Sequence, residues 1–216
     1  MSSIPAIDGP RVSPASGRVP TSIVILAHGY GSNGEDLIGL APYWREALPD
    51  TVFIAPNAPQ VCPGAPGGYQ WWPVWDMDRL AGARDAAPIL DAFIDAELAR
   101  HGLSEDRLAL VGFSQGTMIS LHVAPRRARQ IAGVVGYSGM LVDPAPDNVL
   151  TRPPILLVHG EADPMVPIAA FHQAEASLKQ LGFDVASHVS PGLGHSIDPI
   201  GLRLGGAFLA KVLGQA

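Results

Sequence analysis

The pentapeptide Gly112-Phe113-Ser114-Gln115-Gly116 places a serine between two glycines, a pattern typical of a nucleophile on a sharp strand-to-helix turn. A short apolar run at 108–111 precedes it, and residues 117–124 after it have helical character. Glycine on either side lets such a turn close without clashes between a Cβ atom and the neighbouring backbone. This context favours Ser114 as a nucleophile over a chance glycine-rich turn.

A serine hydroxyl needs a base to take its proton, and histidine is the usual base. Of the seven histidines, His195 differs from the others because it lies in the glycine-containing loop 192–196, after the last predicted strand. Where a serine occupies this kind of turn, the chain order is serine, acid, histidine, which agrees with that position. His28 and His159 each end a strand before a glycine, and we expect them to brace the loops that follow.

The acid is expected in a loop between the serine and the histidine. The candidates by position are Asp143, Asp147, Glu161 and Asp163. The first two lie in a proline-rich stretch with no strand directly before them, which favours a solvated loop. Asp163 follows the apolar run 155–158, so it lies at the carboxyl end of a predicted strand, where ligands of parallel sheets bind. We therefore expect Asp163 to orient His195.

Acyl transfer also needs backbone N–H groups directed at the developing oxyanion. One is expected from Gln115, because the residue after the nucleophile supplies it in this kind of turn. The second is expected from loop 28–34, which follows the first central strand and is rich in glycine. Within that loop we predict Tyr30 N–H as the donor.

The elements around these residues alternate between apolar runs of strand length and stretches with a helical period. The predicted strands are 22–27, 51–55, 108–111, 131–137, 155–158 and 184–189, and the predicted helices are 36–47, 81–100, 115–124, 168–180 and 200–213. This alternation is typical of an α/β fold, with a mostly parallel twisted sheet and helices on both faces. The first five runs are nearly continuous, which suits strands buried on both sides.

Two segments interrupt this alternation. Residues 56–78 form a loop rich in proline and glycine that holds three of the four tryptophans, and it either folds over a ligand or covers the edge of the core. Residues 1–20 are rich in proline, and we expect an extra edge hairpin or a mobile tail there. Residues 21–216 are expected to form a single catalytic domain.

Composition limits the classes of partner. The 216 residues are 47% hydrophobic and 16% charged, which suits one domain with a large core. The net charge of −6 argues against nucleic acid or an anionic membrane surface as a partner, and favours small molecules.

Cys62 is the single cysteine, which excludes an internal disulfide and any multi-thiolate metal site, and fits a reducing cytoplasm. No apolar stretch approaches the roughly 20 residues that stable membrane insertion needs, and residues 1–20 do not resemble a secretion signal.

Several blocks along the chain resemble the bacterial phospholipase/carboxylesterase family, close relatives of the acyl-protein thioesterases among the α/β-hydrolases. These blocks are L-A-H-G-Y-G-S-N-G-E-D-L from Leu26, A-P-N-A-P from Ala55, Q-W-W-P from Gln70, G-F-S-Q-G-T-M from Gly112, Y-S-G from Tyr137, H-G-E-A-D-P-M-V-P from His159 and G-L-G-H from Gly192. The resemblance implies an α/β-hydrolase fold without a separate lid domain and without a metal or other cofactor. It also implies a triad of Ser114, Asp163 and His195, with backbone donors at Tyr30 and Gln115.

The resulting hypothesis is a serine carboxylesterase that hydrolyses short- to medium-chain acyl esters through an acyl-enzyme, with lysophospholipids and acyl thioesters as further candidate substrates. Activity is expected to fall as pH drops and the base becomes protonated. Residues predicted to line the acyl pocket are Tyr30, Trp71, Trp72, Met165 and Leu193, and Trp75 departs from the family pattern by adding bulk nearby. The preferred chain length stays open, as does assembly into a homodimer.

Three rival interpretations remain. A dienelactone-hydrolase-like enzyme would carry cysteine at the nucleophile position, but Ser114 occupies it and Cys62 lies in a proline-rich loop without such a turn. A peptidase of the same fold is possible in principle, although nothing in the sequence indicates a gating domain. A ligand-binding module on an inactive hydrolase scaffold is the third, and the presence of all three triad residues argues against it.

Overall fold

A computed structural model of the chain describes residues 4–74, 78–145 and 147–215. Its strands are β1 (Arg11–Val12), β2 (Ser22–Ala27), β3 (Thr51–Ile54), β4 (Gln60–Val61), β5 (Tyr69–Gln70), β6 (Leu108–Phe113), β7 (Gly133–Tyr137), β8 (Ile155–Gly160) and β9 (Val185–Ser190). Seven of them form one twisted sheet in the order β1-β3-β2-β6-β7-β8-β9, and β4 pairs with β5 separately. Only the β1–β3 pairing is antiparallel among neighbours in the large sheet.

Helices cover both faces of this sheet. They are α1 (Gly34–Ile38), α2 (Ala41–Trp44), α3 (Arg79–His101), α4 (Gln115–Val123), α5 (Ile168–Gln180) and α6 (Pro199–Val212), with short 3-10 turns at Glu105–Arg107 and Ala124–Arg126. The single helix predicted at 36–47 is wrong, because the chain forms α1 and α2 there instead. Gly39 ends the first helix, and Pro42 stands in the first turn of the second, where its missing N–H costs no helix bond.

The core consists of two apolar clusters, one on each face of the sheet. Alternate side chains of β2 point to opposite faces, so Ile23 and Ile25 pack in one cluster with α3, α4 and α5. Val24 and Leu26 pack in the other, with α1, α2 and α6. Burial on both faces explains why the central strands are nearly continuous apolar runs rather than alternating ones.

The N-terminal segment lies along the outer edge of the sheet. Arg11 and Val12 pair antiparallel with Ile54 and Phe53 of β3. A further backbone bond, from Ala55 N to a carbonyl in the preceding segment, continues this contact. The segment therefore covers an edge that would otherwise expose unpaired backbone groups.

The tryptophan-rich loop folds against the loop that follows β2. Gly31 N donates to Tyr69 O at 2.9 Å, and Tyr69 N donates to Ser32 O at 2.7 Å. Trp71 and Trp72 are fully buried, and both belong to the apolar cluster beside α3 and α4. The third tryptophan of this loop, Trp75, lies outside the described residues. In the described ranges, no helix is long and apolar enough to span a bilayer.

Candidate active site

Ser114 lies between β6 and α4 with φ of 54° and ψ of −114°, a backbone conformation that non-glycine residues seldom adopt. The flanking glycines make the turn possible. A Cβ atom at position 116 would lie 1.8 Å from Ala27 O, and one at position 112 would lie 2.4 Å from Thr117 N. Strain of this kind persists where the surrounding structure enforces it, often at functional sites. The chain thus presents the Ser114 side chain at the carboxyl edge of the sheet.

Asp163 lies in the loop after β8, where its carboxylate is buried and fully engaged. Its Oδ1 accepts bonds from Met165 N at 2.8 Å and Val166 N at 2.9 Å, and its Oδ2 lies 2.7 Å from His195 Nδ1. Burial alone would raise the pKa of Asp163. The hydrogen bonds from Val166, His195 and Met165 outweigh that effect, so its pKa lies below the usual value and the group stays ionised at neutral pH.

His195 lies in the loop after β9 and is partly exposed. Its ring packs against Phe113, with ring centroids 4.9 Å apart. Because its Nδ1–H is donated to Asp163, the other ring nitrogen carries the lone pair that a general base needs. The loops that carry Asp163 and His195 are joined by a hydrogen bond from Ala162 N to Leu193 O, at 2.9 Å.

Gly160 permits this close approach of the two loops. A Cβ atom at that position would lie 2.3 Å from Gly194 O and 2.4 Å from Leu193 O. Any side chain there would push the histidine loop away from Asp163. The contact between Asp163 and His195 therefore depends on the absence of a side chain at position 160.

The two predicted oxyanion donors lie beside the serine. Gln115 is the first residue of α4, so its N–H is among those at the start of the helix without a helical acceptor. The chain before Tyr30 passes close to the serine, since a Cβ atom on Gly29 would lie 3.3 Å from Ser114 Cβ. Tyr30, Gln115, Ser114 and His195 all line one cavity.

That cavity has a volume of about 600 Å³. Of the residues predicted to line the acyl pocket, Tyr30, Trp72 and Met165 do so. Trp71 and Leu193 are not among its described lining residues. The Trp71 indole instead donates to His28 O at 3.0 Å, which directs its ring into the core.

The cavity also has lining residues that the sequence did not predict. The apolar ones include Val74, Met118, Met140, Val166 and Pro167, and the polar ones include Arg79 and Gln173. Met118 follows Ser114 by four residues in a helix, so the spacing alone could have placed it on the same face. Met140 and Gln173 come from a loop and a helix far away in sequence, and no local pattern marks them.

A sequence model of the phospholipase/carboxylesterase family matches residues 10–213. The chain belongs to this family. It is 32% identical to acyl-protein thioesterase 1 of Gibberella zeae over 94% of this chain and 95% of that protein. It is 26% identical to the esterase YpfH of Escherichia coli, over 82% of this chain and 76% of that protein. Among solved structures it is similar to esterase PE8, with 42% identity, a TM-score of 0.92, and coverage of 96% of this chain and 100% of that one.

Membership of this family establishes the general chemistry. The chain is an α/β-hydrolase of the carboxylesterase or acyl-protein thioesterase type, and it acts on ester bonds. The interpretation as an inactive binding module is therefore set aside. Cys62, the residue that a thiol nucleophile would require, is buried and absent from the described lining of the serine cavity.

Two further histidines near the site bond to loop backbone. His28 Nδ1 lies 2.8 Å from Gly29 O, and its Nε2 accepts a bond from Ala58 N at 2.9 Å. His159 Nε2 lies 2.8 Å from Val166 O, so it holds the residue whose N–H binds Asp163. Within the described part of the chain, no cluster of three or more His, Cys, Asp or Glu side chains is arranged to hold a metal ion.

Proposed function

We propose that this enzyme is a serine carboxylesterase that hydrolyses short- to medium-chain acyl esters through an acyl-enzyme on Ser114. The observation that carries the proposal is the 2.7 Å contact between His195 Nδ1 and the buried Asp163, beside a strained serine that lines the same cavity as His195. A base, its orienting acid and a nucleophile are the parts that acyl transfer requires.

The reaction follows from those parts. His195 takes the proton from Ser114 Oγ as the oxygen attacks the ester carbonyl carbon. The N–H groups of Tyr30 and Gln115 stabilise the oxyanion, each by about 3 kcal/mol. The C–O bond to the alcohol then breaks, and the alcohol leaves with the proton from His195. Water, deprotonated by the same histidine, hydrolyses the acyl-enzyme and restores the serine.

The cavity supports an acyl group of modest length. Its lining includes the apolar side chains of Trp72, Met118 and Met140, which offer contacts to an acyl chain bound at Ser114. Unbranched methionine side chains adapt to chains of different shape. Lysophospholipids and acyl thioesters present the same carbonyl, and we include them as further substrates.

Two other expectations accompany this proposal. The single buried cysteine suits a reducing cytoplasm. The exposed side chains of Tyr43, Ile200 and Leu204 offer apolar area for a homodimer, which analytical ultracentrifugation would test.

The direct test is hydrolysis of p-nitrophenyl esters from acetate to palmitate, with Ser114→Ala as the blank. We expect turnover by the wild type with an optimum at short or medium chains, and none above background by the variant. Lysophosphatidylcholine and a medium-chain acyl thioester, assayed under the same conditions, rank the further substrates. Equal inactivity of both proteins on every oxygen ester would overturn the proposal.

A further inference from the structure

A second cavity of about 600 Å³ is lined by residues from several of the elements that also line the catalytic cavity. On α4, Met118 lines the catalytic cavity, and His122, one turn further, lines the second. In the chain after β7, Met140 lines the first and Asp143 lines the second. Because two elements pass from one cavity to the other in the same order, we infer a continuous groove that leads from Ser114 past the two methionines.

His122 is a buried lining residue of this second cavity. The side chain is 3% exposed, and its Nδ1 is buried without a hydrogen-bond partner among the described residues. Burial, together with the nearby charge of Arg126, lowers the pKa of His122 to about 4. The ring is therefore neutral at pH 7, and it offers one donor and one acceptor. A buried polar atom without a partner points to a ligand group that supplies one.

The charges around His122 are close to balance. The charged lining residues are Arg84, Arg126, Asp91, Asp143 and Asp147. Arg126 binds Asp143 at 2.7 Å, and Asp91 is paired with Arg127, so two of these carboxylates are already neutralised. Arg84 and Asp147 then oppose each other in sign. A cavity with near-zero net charge and many hydrogen-bonding groups favours a neutral hydroxyl over a carboxylate or an ammonium group.

Pro88 adds a further acceptor beside the cavity. It stands inside α3 and has no N–H, so the carbonyl of Arg84 lacks its usual helical donor. Pro88 and Arg84 both line the cavity. A hydroxyl can donate to such a carbonyl and accept from the neighbouring groups at the same time.

The distance between the two sites sets the length of the ligand. His122 follows Ser114 by eight residues, so the two lie about 12 Å apart along the helix axis at about 1.5 Å per residue. An extended acyl chain of about ten carbons spans such a distance, and Met118 and Met140 would contact its middle.

We propose that the second cavity binds a hydroxyl group at the far end of a medium-chain acyl group, so that the enzyme prefers esters of terminally hydroxylated acyl chains. The proposal rests on the esterase function proposed above and specifies its substrate class. Ser114 and His195 carry out the chemistry, and His122 selects the chain by one or two hydrogen bonds.

The test compares three p-nitrophenyl esters with the same carbonyl and leaving group: decanoate, terminally hydroxylated decanoate, and the half-ester of decanedioic acid. We expect kcat/KM for the hydroxylated ester to exceed that for decanoate by about fivefold, mainly through KM, as one net hydrogen bond provides. The carboxylated ester should gain nothing. Equal or slower hydrolysis of the hydroxylated ester would overturn the proposal, and so would a preference for the carboxylate.

A substitution of His122 tests whether the second cavity causes the preference for the hydroxylated ester. In His122→Phe the ratio of kcat/KM between the hydroxylated ester and decanoate should fall toward one, while His172→Phe on the exposed face of α5 should keep the wild-type ratio. A ratio unaltered in His122→Phe would refute the role of His122.

A binding measurement separates this inference from the esterase proposal. In Ser114→Ala, decanediol should shift the ring resonances of His122 in a proton–carbon NMR spectrum more than decanol does. Absence of decanoate hydrolysis by the wild type would reject the esterase proposal. Absence of the diol shift would reject the second site, whether or not the enzyme hydrolyses esters and whether or not His122→Phe folds.

Discussion

Gln115 and Trp71 are joined by a hydrogen bond from Trp71 N to Gln115 Oε1 at 2.9 Å. The same side-chain amide donates through Nε2 to Trp72 O at 2.8 Å. The residue that follows Ser114 therefore also fixes the segment that contributes Trp72 to the cavity wall. One buried amide thus couples the position of the predicted oxyanion donor to the wall of the cavity that Ser114 lines.

Replacement of Gln115 by leucine should harm both stability and catalysis. The backbone N–H remains, but Trp71 N and Trp72 O lose their partners inside the protein, at a cost of about 2 to 4 kcal/mol in the free energy of unfolding. We expect kcat on a short-chain ester to fall at least tenfold. Urea unfolding and steady-state kinetics measure the two effects. Gln180→Leu at the exposed end of α5 is the matched control, and equal behaviour of the two variants would contradict the coupling.

Gly160 and Gly194 form a matched pair for testing the approach of the two loops. Gly160→Ala should lower kcat at least a hundredfold, because its methyl group would overlap Gly194 O at 2.3 Å and displace the base. Gly194→Ala should retain most activity, since the nearest atom to its new methyl group is Pro164 Cδ at 4.0 Å. Steady-state kinetics on one ester tests both variants, and a larger loss in Gly194→Ala would contradict the packing argument.

Asp163→Asn should reduce kcat by about 10⁴-fold with little change in KM, because an amide can no longer hold His195 in the tautomer that accepts the serine proton. Asp184→Asn, an exposed change of the same kind, should leave kcat as in the wild type. Retention of more than about a tenth of wild-type kcat in Asp163→Asn would mean that another group orients the base.

The same carboxylate should make stability depend on pH in a defined window. Its pKa in the folded protein lies below the value of about 3.9 expected when unfolded. Its stabilisation is therefore present above that value and is lost as pH falls through the folded pKa. The difference in free energy of unfolding between wild type and Asp163→Asn should shrink as the pH is lowered below about 3.9. A difference that grows over this pH range would have the wrong sign.

The sequence was most informative where one physical effect dominates. Strands such as 22–27 are buried on both faces and read as continuous apolar runs, so their position was predictable. The turn at Ser114 was predictable because only glycine fits at the positions on either side of Phe113-Ser114-Gln115. A Cβ atom at either position would overlap neighbouring backbone atoms. The order serine, acid, histidine along the chain then left few candidate residues for the acid and the base.

The cavity wall was less predictable because it depends on side-chain direction and on distant contacts. Trp71 and Trp72 are adjacent and chemically identical, yet one indole binds His28 O and the other lines the cavity. Residues 71 and 72 form a bend after β5 rather than a strand, so no regular alternation indicates which of the two indoles faces the ligand. The break between α1 and α2 was likewise missed, because helical period continues through Gly39.

The proposed mechanism requires Ser114 to be the nucleophile that forms the acyl-enzyme. The most direct measurement is labelling of the native protein with a fluorophosphonate, followed by intact-mass and peptide mass spectrometry. We expect one adduct per chain, located on Ser114, absent from Ser114→Ala and formed much more slowly in Asp163→Asn. An unlabelled wild type, or an adduct on a different residue, would contradict the proposed mechanism.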